Sequence, residues 1–158
     1  MRFFFIDRVE EIKPGERAVG IKNVTYNEDF LEDHFPGLPV YPGTLLIEAI
    51  AQLGGFLVEC TFQQMEKSTR RALLAQIEKA KFYEPVRPGD QLRITCEIRS
   101  TLEGAAQIKA EAHVQEKRAV VAVLTYVLWN VDSENIHRER RELYNQWTQH
   151  LKLDFQIR

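Results

Sequence analysis

The sequence is poor in cysteine and in net charge, and both shortages exclude classes of protein. Its two cysteines, Cys60 and Cys96, lie far apart and form no Cys-x-x-Cys pair. This argues against a disulfide framework or a cysteine-based metal site and favours a reducing, cytoplasmic location. The formal net charge of −2 gives no general attraction to nucleic acid or to anionic membranes. The N-terminal apolar run ends at Asp7 and Arg8, too soon for a signal peptide, and we expect no membrane span of roughly 20 apolar residues.

Proline is also scarce, except in one short stretch. Three of the six prolines lie between residues 36 and 42, together with Gly37. Proline fixes φ and removes a backbone donor, whereas glycine lets the chain turn, so this stretch is predicted to be a rigid loop. From Gly43 to Val58 nearly every side chain is apolar or small. This pattern predicts a buried helix that continues to about Met65.

One histidine opens this loop, and one carboxylate interrupts the apolar helix. Glu48 is the only formally charged residue between Asp33 and Glu59. A buried carboxylate is costly unless it is paired or protonated, so burial favours the form that donates a proton. An imidazole exchanges protons near neutral pH. We therefore predict that His34 and Glu48 form an acid–base pair.

The rest of the chain predicts strands and a second helix. Two glycines in the middle of the first helix, Gly54 and Gly55, predict close packing against a sheet or a second copy of the helix. A second helix is expected over residues 133–151, capped by Ser133, and residues 153–158 are expected to be extended or disordered. Residues 120–128 are more continuously apolar than the other predicted strands, which indicates a central strand. The six predicted strands cover residues 3–12, 17–25, 72–83, 90–101, 105–115 and 118–131. The fold class is therefore α+β, with an antiparallel sheet wrapped around one long central helix.

The loop and the start of the helix carry a family resemblance. His34-Phe35-Pro36-Gly37, Pro39-Val40, Pro42-Gly43 and the run Glu-Ala-Ile-Ala-Gln at 48–52 resemble the signature of the FabZ-type 3-hydroxyacyl-[acyl-carrier-protein] dehydratases. Similar pieces occur at residues 5–9, 21–25 and 79–90, so the resemblance runs from about residue 3 to residue 130. It implies the hotdog fold. It also implies a homodimer with continuous sheets and packed helices, with a trimer of dimers as a further assembly.

The resemblance implies an activity without metal or organic cofactor. A (3R)-hydroxyacyl thioester would lose water to give the trans-2-enoyl thioester, with His34 as base and Glu48 as acid, contributed by different subunits. The Gly43 amide, at the N-terminus of a helix, is a candidate donor to the enolate-like oxygen, although Gly43 also suits helix entry alone. Gln52, one turn beyond Glu48, would orient the carboxyl group or a water.

Substrate and partner contacts are also expected. Phe35 and Tyr41, together with Leu45, Leu74 and Phe82, are candidates to line an acyl tunnel, although such residues are more often plain core. The implied partner is acyl carrier protein, an acidic family, so a basic rim is expected around the entrance. Its candidate residues are Arg70, Arg71, Lys79 and Lys81, with Arg138 and Arg141 behind them.

Three features depart from the family pattern. Asp33 stands where the family usually has glycine, and a carboxylate beside His34 is expected to affect its protonation or orientation. A His-Arg-Tyr-Pro-Phe-like run, which covers the active site in the family, is not found before the first strand. The tail from Ser133 is longer than usual and is expected either to replace that cover or to bind a partner. We therefore divide the chain into a dehydratase-like domain, residues 1–132, and a C-terminal helical extension of the same domain, residues 133–158. These departures point to a specialised relative that serves a polyketide or unusual lipid pathway.

Two other functions remain open at this stage. A hotdog thioesterase would use Glu48 to activate water, but it would leave the His34 loop unexplained. A non-catalytic acyl-binding or dimerising subunit would keep the motif only for folding.

Overall fold

The computed structural model describes residues 3–67 and 69–158, so Met1 and Arg2 of the N-terminal apolar run, and Ser68, lie outside it. The strands are β1 (Arg8–Lys13), β2 (Arg17–Asn23), β3 (Arg71–Phe82), β4 (Gln91–Leu102), β5 (Ala105–Val114) and β6 (Lys117–Trp129), and the helices are α1 (Gly43–Met65) and α2 (Glu134–Thr148). The strands form one antiparallel sheet in the order β1-β2-β4-β5-β6-β3. Helix α1 contacts all six strands. This arrangement confirms the predicted α+β hotdog fold.

Helix α1 packs closely on the sheet through one of its two central glycines. A Cβ added at Gly54 would lie 2.3 Å from Ile108 Cδ1 and 2.5 Å from Tyr126 Oη. The Tyr126 hydroxyl donates a hydrogen bond of 2.8 Å to the carbonyl of Ala51 on the same helix. Glycine therefore lets the helix approach β5 and β6, which confirms the sheet packing predicted from the glycine pair.

The same helix bears on the expectation that the chain has no membrane span. By length and composition α1 could cross a membrane, since its mean hydropathy is 1.6. However, 78% of the apolar 18-residue stretch that passes this test is buried inside the fold. Helix α1 is thus the core helix of the fold, and most of its apolar surface is covered by protein.

The predicted start of the first strand is wrong. We expected residues 3–12, but β1 begins only at Arg8. The preceding segment instead bonds to helix α1, because the Phe5 amide donates to Gln52 Oε1 at 2.9 Å and Gln52 Nε2 donates to the Phe3 carbonyl at 3.0 Å. These side-chain bonds replace the strand pairing that the apolar pattern predicted.

The two edges of the sheet differ in character. Strand β1 carries charged side chains and a register shift between Val9 and Glu11, both of which discourage further pairing. Strand β3, at the other edge, also has register shifts, between Leu74 and Gln76 and between Ile77 and Lys79. It differs from β1 in leaving Leu73, Leu74 and Ile77 exposed by 44%, 41% and 50%. Strand β6 pairs with both β5 and β3, so it is an interior strand next to this apolar edge.

Helix α2 docks beside α1. Ser133 caps it, since the Ser133 hydroxyl accepts a bond of 3.4 Å from the Ile136 amide. Tyr144 and Trp147 are buried, and their rings lie 4.4 Å and 5.9 Å from the ring of Phe56 on α1. The tail beyond α2 also bonds to α1, because the Arg158 amide donates to Gln63 Oε1 at 3.2 Å.

Candidate active site

The loop before α1 holds His34 in a defined orientation. The Val40 amide donates to the His34 carbonyl at 2.8 Å, and Phe35 and Leu38 exchange two backbone hydrogen bonds. Gly37 has a φ of +74°, which favours glycine at this turn. His34 Nδ1 lies 2.6 Å from the Val40 carbonyl oxygen. Because a carbonyl oxygen only accepts, Nδ1 carries the proton. No other described residue hydrogen-bonds to the ring, so the lone pair of Nε2 is available as a base.

His34 lines a cavity of about 240 Å³ at the N-terminus of α1, together with Tyr41, Gly43 and Phe82. A Cβ at Gly43 would lie 2.9 Å from Phe82 Cε1, so this position needs the smallest residue. The first amides of a helix have no partner within the helix. The cavity therefore places a proton acceptor, His34, near amides suited to an anionic oxygen.

Tyr41 lines the same cavity, but its hydroxyl group is buried in the protein. It is 2% exposed, and its hydroxyl has no hydrogen-bond partner among residues 3–67 and 69–158. Burial raises the pKa of the Tyr41 hydroxyl. Its ring packs edge-on against Phe30 at 5.1 Å. Tyr41 therefore contributes a mainly apolar wall and a neutral hydroxyl group.

Glu48 lies in different surroundings from those of His34. It accepts a hydrogen bond of 2.9 Å from Gln52 Nε2, as expected for an i, i+4 pair on a helix. The same carboxamide group is held by the backbone of Phe3 and Phe5, so its orientation is fixed. Glu48 is half-buried in this single chain, not fully buried as the sequence predicts. It lines two neighbouring cavities of about 470 and 140 Å³.

The predicted site residues thus form two separate groups in one subunit. His34, Tyr41 and Gly43 share one cavity, whereas Glu48 and Gln52 share the other two, and none of these three cavities contains both His34 and Glu48. Phe35 lies outside all three. It is 52% exposed, and its ring stacks on the His34 imidazole at 4.2 Å.

Sequence reasoning missed part of the surroundings of Glu48. Ile136, Arg140, Leu143 and Trp147 of α2 line the larger cavity with it. Their helical spacing predicts a shared face, and the extra length of the tail suggests a cover for the site, but neither pattern specifies that this face packs beside Glu48.

One residue of the expected basic rim is wrongly assigned. Arg71 is 3% exposed and donates from its guanidinium to Glu59 Oε2 at 2.6 Å. Glu59 is 2% exposed and also accepts from the Ala72 amide at 3.0 Å. Arg71 is therefore a buried structural residue and is not available to a carrier protein. Lys79 and Lys81 are exposed.

Comparisons with solved structures agree with the fold. A hypothetical thioesterase from Streptococcus pneumoniae, solved with coenzyme A, superposes with a TM-score of 0.61 at 14% identity, covering 80% of this chain and 88% of that one. The dehydratase heterocomplex ApeI:P from Xenorhabdus doucetiae gives a TM-score of 0.56 at 17% identity, covering 74% and 92%. Identities this low support the fold alone.

Sequence comparisons are more specific. The 3-hydroxyacyl-[acyl-carrier-protein] dehydratase FabZ of Lactobacillus helveticus is 42% identical over 124 residues, covering 78% of this chain and 82% of the relative. The protein of the same name from Caldanaerobacter subterraneus is 43% identical over 126 residues, covering 80% and 87%. A FabA-like domain model matches residues 1–125, which leaves α2 outside the match. The chain therefore belongs to the FabA-like family.

Proposed function

We propose that this protein is a dehydratase that converts a (3R)-hydroxyacyl thioester on acyl carrier protein to the trans-2-enoyl thioester, in fatty-acid or related lipid biosynthesis. The observation that carries the proposal is the His34 imidazole, whose Nδ1 is bound to the Val40 carbonyl and whose Nε2 is left free. The FabZ names of relatives more than 40% identical over most of the chain support the same reaction. No cofactor is required in this proposal.

In the proposed reaction, His34 Nε2 removes a proton from C2, next to the thioester carbonyl. The Gly43 amide stabilises the negative charge that develops on the carbonyl oxygen. As the C2–C3 double bond forms, the C3–O bond breaks, and Glu48 gives its proton to the departing hydroxyl group so that water leaves. The proton held by the imidazolium then returns to the Glu48 carboxylate, directly or through water. Gln52 orients the carboxyl group throughout.

We further propose that each site is completed by a second copy of the chain. His34 and Glu48 lie in different cavities of one subunit, so one subunit would supply the base and the other the acid. The exposed apolar edge of β3 suits pairing with β3 of the second copy, since it offers unpaired backbone groups and apolar side chains. The homodimer would bind acyl carrier protein through the exposed residues Lys79 and Lys81, and we place it in the cytoplasm.

A complementation experiment tests both the residues and their sharing between subunits. His34→Ala and Glu48→Gln should each abolish formation of the enoyl thioester, measured by its absorbance. Co-expression of the two inactive chains should restore about a quarter of wild-type activity, because about half of the dimers are mixed and each mixed dimer holds one complete site. If both residues served within one subunit, co-expression would restore nothing.

Controls separate catalysis from folding. His150→Ala and Glu142→Gln make the same chemical changes at exposed positions and should keep full activity. Free thiol is followed in the same reactions, because thiol release without enoyl product would identify a thioesterase. Neither product would indicate a non-catalytic acyl-binding subunit. Full activity of His34→Ala or Glu48→Gln would remove that residue from the mechanism.

A further inference from the structure

The larger cavity beside Glu48 has an apolar wall that the proposed reaction does not yet use. It encloses about 470 Å³ between the N-terminal segment and helix α2. Its apolar lining comes from Phe3 and Phe4 on one side and from Ile136, Leu143 and Trp147 on the other. Three of these side chains have substantial exposed surface, namely Phe3 (54%), Phe4 (54%) and Ile136 (42%). The cavity therefore offers apolar surface that a ligand could cover.

The α2 side of this cavity is fixed by contacts between α2 and the rest of the fold. Trp147 and Tyr144 pack against Phe56 of α1, and the Ser133 hydroxyl caps the helix. The start of the helix is also anchored, because Arg71 Nε donates to His137 Nδ1 at 3.1 Å. This wall is preformed, so a ligand would not have to order it on binding. It also lies beyond residues 1–125, the part matched by the family model.

The position of Glu48 indicates what the cavity would hold. Glu48 and its partner Gln52 line the same cavity as these apolar side chains, and Glu139 and Arg140 of α2 complete the lining. In the proposed reaction the C3 hydroxyl group contacts Glu48, so the rest of the acyl chain must continue from that point. We infer that the α2 cavity, lined by Phe3, Phe4, Ile136, Leu143 and Trp147, is a subsite for the distal part of the acyl chain. Helix α2 thereby selects longer acyl chains. Its volume lies within the range of about 300–1,000 Å³ that is usual for small-molecule sites. This inference rests on the proposed function.

Fluorescence quenching tests whether the acyl chain binds in the α2 cavity, and it does not require turnover. Trp129→Phe removes the exposed second tryptophan, so that emission comes from Trp147 in the cavity wall. Dodecanoyl-pantetheine with bromine on its terminal carbon should quench this emission, whereas the unbrominated thioester should not. Ile136→Asp should weaken the quenching, because it places a charge in the apolar wall. It should still fold, since an acidic residue suits the first turn of a helix. Asn135→Asp adds the same charge one residue away and should leave the quenching unchanged.

Kinetics with two substrates test the selectivity. In Ile136→Asp the ratio of kcat/KM for 3-hydroxydodecanoyl over 3-hydroxybutyryl thioester should fall by about tenfold, the equivalent of losing the burial of roughly two methylene groups. Asn135→Asp should keep the wild-type ratio. An active protein without quenching, or an unchanged ratio in Ile136→Asp, would overturn the inference and leave the dehydratase proposal intact. Quenching without enoyl formation would reject the dehydratase and keep the acyl subsite.

Discussion

Removing the guanidinium of Arg71 should destabilise the protein strongly, without any change in the catalytic residues. Arg71 and Glu59 are 3% and 2% exposed and are joined by a hydrogen bond of 2.6 Å. Arg71→Met would leave the Glu59 carboxylate buried, with its main charged partner gone. Breaking a buried ion pair from one side typically costs about 3–5 kcal/mol. For a chain of this length such a loss lowers the melting temperature by roughly 10 °C.

The neighbouring arginine provides a matched control. Arg70 pairs with Glu66, four residues earlier in the segment after α1 and nearer the surface. An ion pair of that kind contributes about 0.2–1 kcal/mol, so Arg70→Met should change the free energy of unfolding much less than Arg71→Met. The double variant Glu59→Leu/Arg71→Met should recover most of the stability lost in Arg71→Met, since an apolar pair leaves no buried charge. The two substitutions should therefore couple strongly in a double-mutant cycle.

Urea denaturation followed by circular dichroism measures these free energies, at one fixed protein concentration because the proposed dimer would make the stability depend on concentration. A loss below about 1 kcal/mol in Arg71→Met would mean that water reaches Glu59 and would refute the reasoning. Arg71 also donates to the carbonyls of His137 and Arg158. Its loss should therefore increase hydrogen exchange in α2 before it affects the rest of the fold.

Three further predictions concern single buried positions. Tyr41→Phe should raise stability by about 1 kcal/mol in urea denaturation, because it removes a buried hydroxyl that has no partner among the described residues; a loss of stability would reveal a hydrogen bond to that group. Gly54→Ala should cost about 1–3 kcal/mol by the same measurement, because its Cβ would fall 2.3 Å from a side-chain carbon of β5, and Gly55→Ala, with its nearest contact at 3.6 Å, is the control. Cys60 and Cys96 are buried, and burial raises the pKa of both thiols, so neither should react with a thiol reagent until the protein unfolds; rapid labelling of the folded protein would contradict this.

Local sequence patterns predicted the central elements well. Helix α1 occupies Gly43–Met65 as expected, because a proline-rich loop followed by a largely apolar run specifies a start and burial without information from elsewhere in the chain. The bounds of β2 to β6 agree within about two residues, since alternation of side chains is also local. The strand order β1-β2-β4-β5-β6-β3 could not be predicted in the same way, because it depends on pairings between distant segments.

The errors have a common physical origin. Arg71 is expected in a basic rim because a charge taken alone favours solvent, and the same reasoning gives no cause to bury Glu59. In the fold the two charges meet, and their pairing allows both to be buried. Similarly, Phe3 and Phe5 look like strand residues, but the carboxamide group of Gln52 binds their backbone. A contact between residues far apart in sequence changed the environment in each case.

Helix geometry explains why one subunit separates the two predicted catalytic groups. Gly43, at the start of α1, lines the cavity of His34, and Glu48 follows five residues later on the same helix. Five residues advance the chain by about 7.5 Å and rotate it by about 140° around the axis. Glu48 therefore faces away from the cavity at the helix start, toward α2 and β3. A second copy of the chain, paired along the apolar edge of β3, would bring another His34 loop to this face. The spacing of these residues on the helix therefore supports the proposed sharing of the site between two subunits, which the family resemblance also implies.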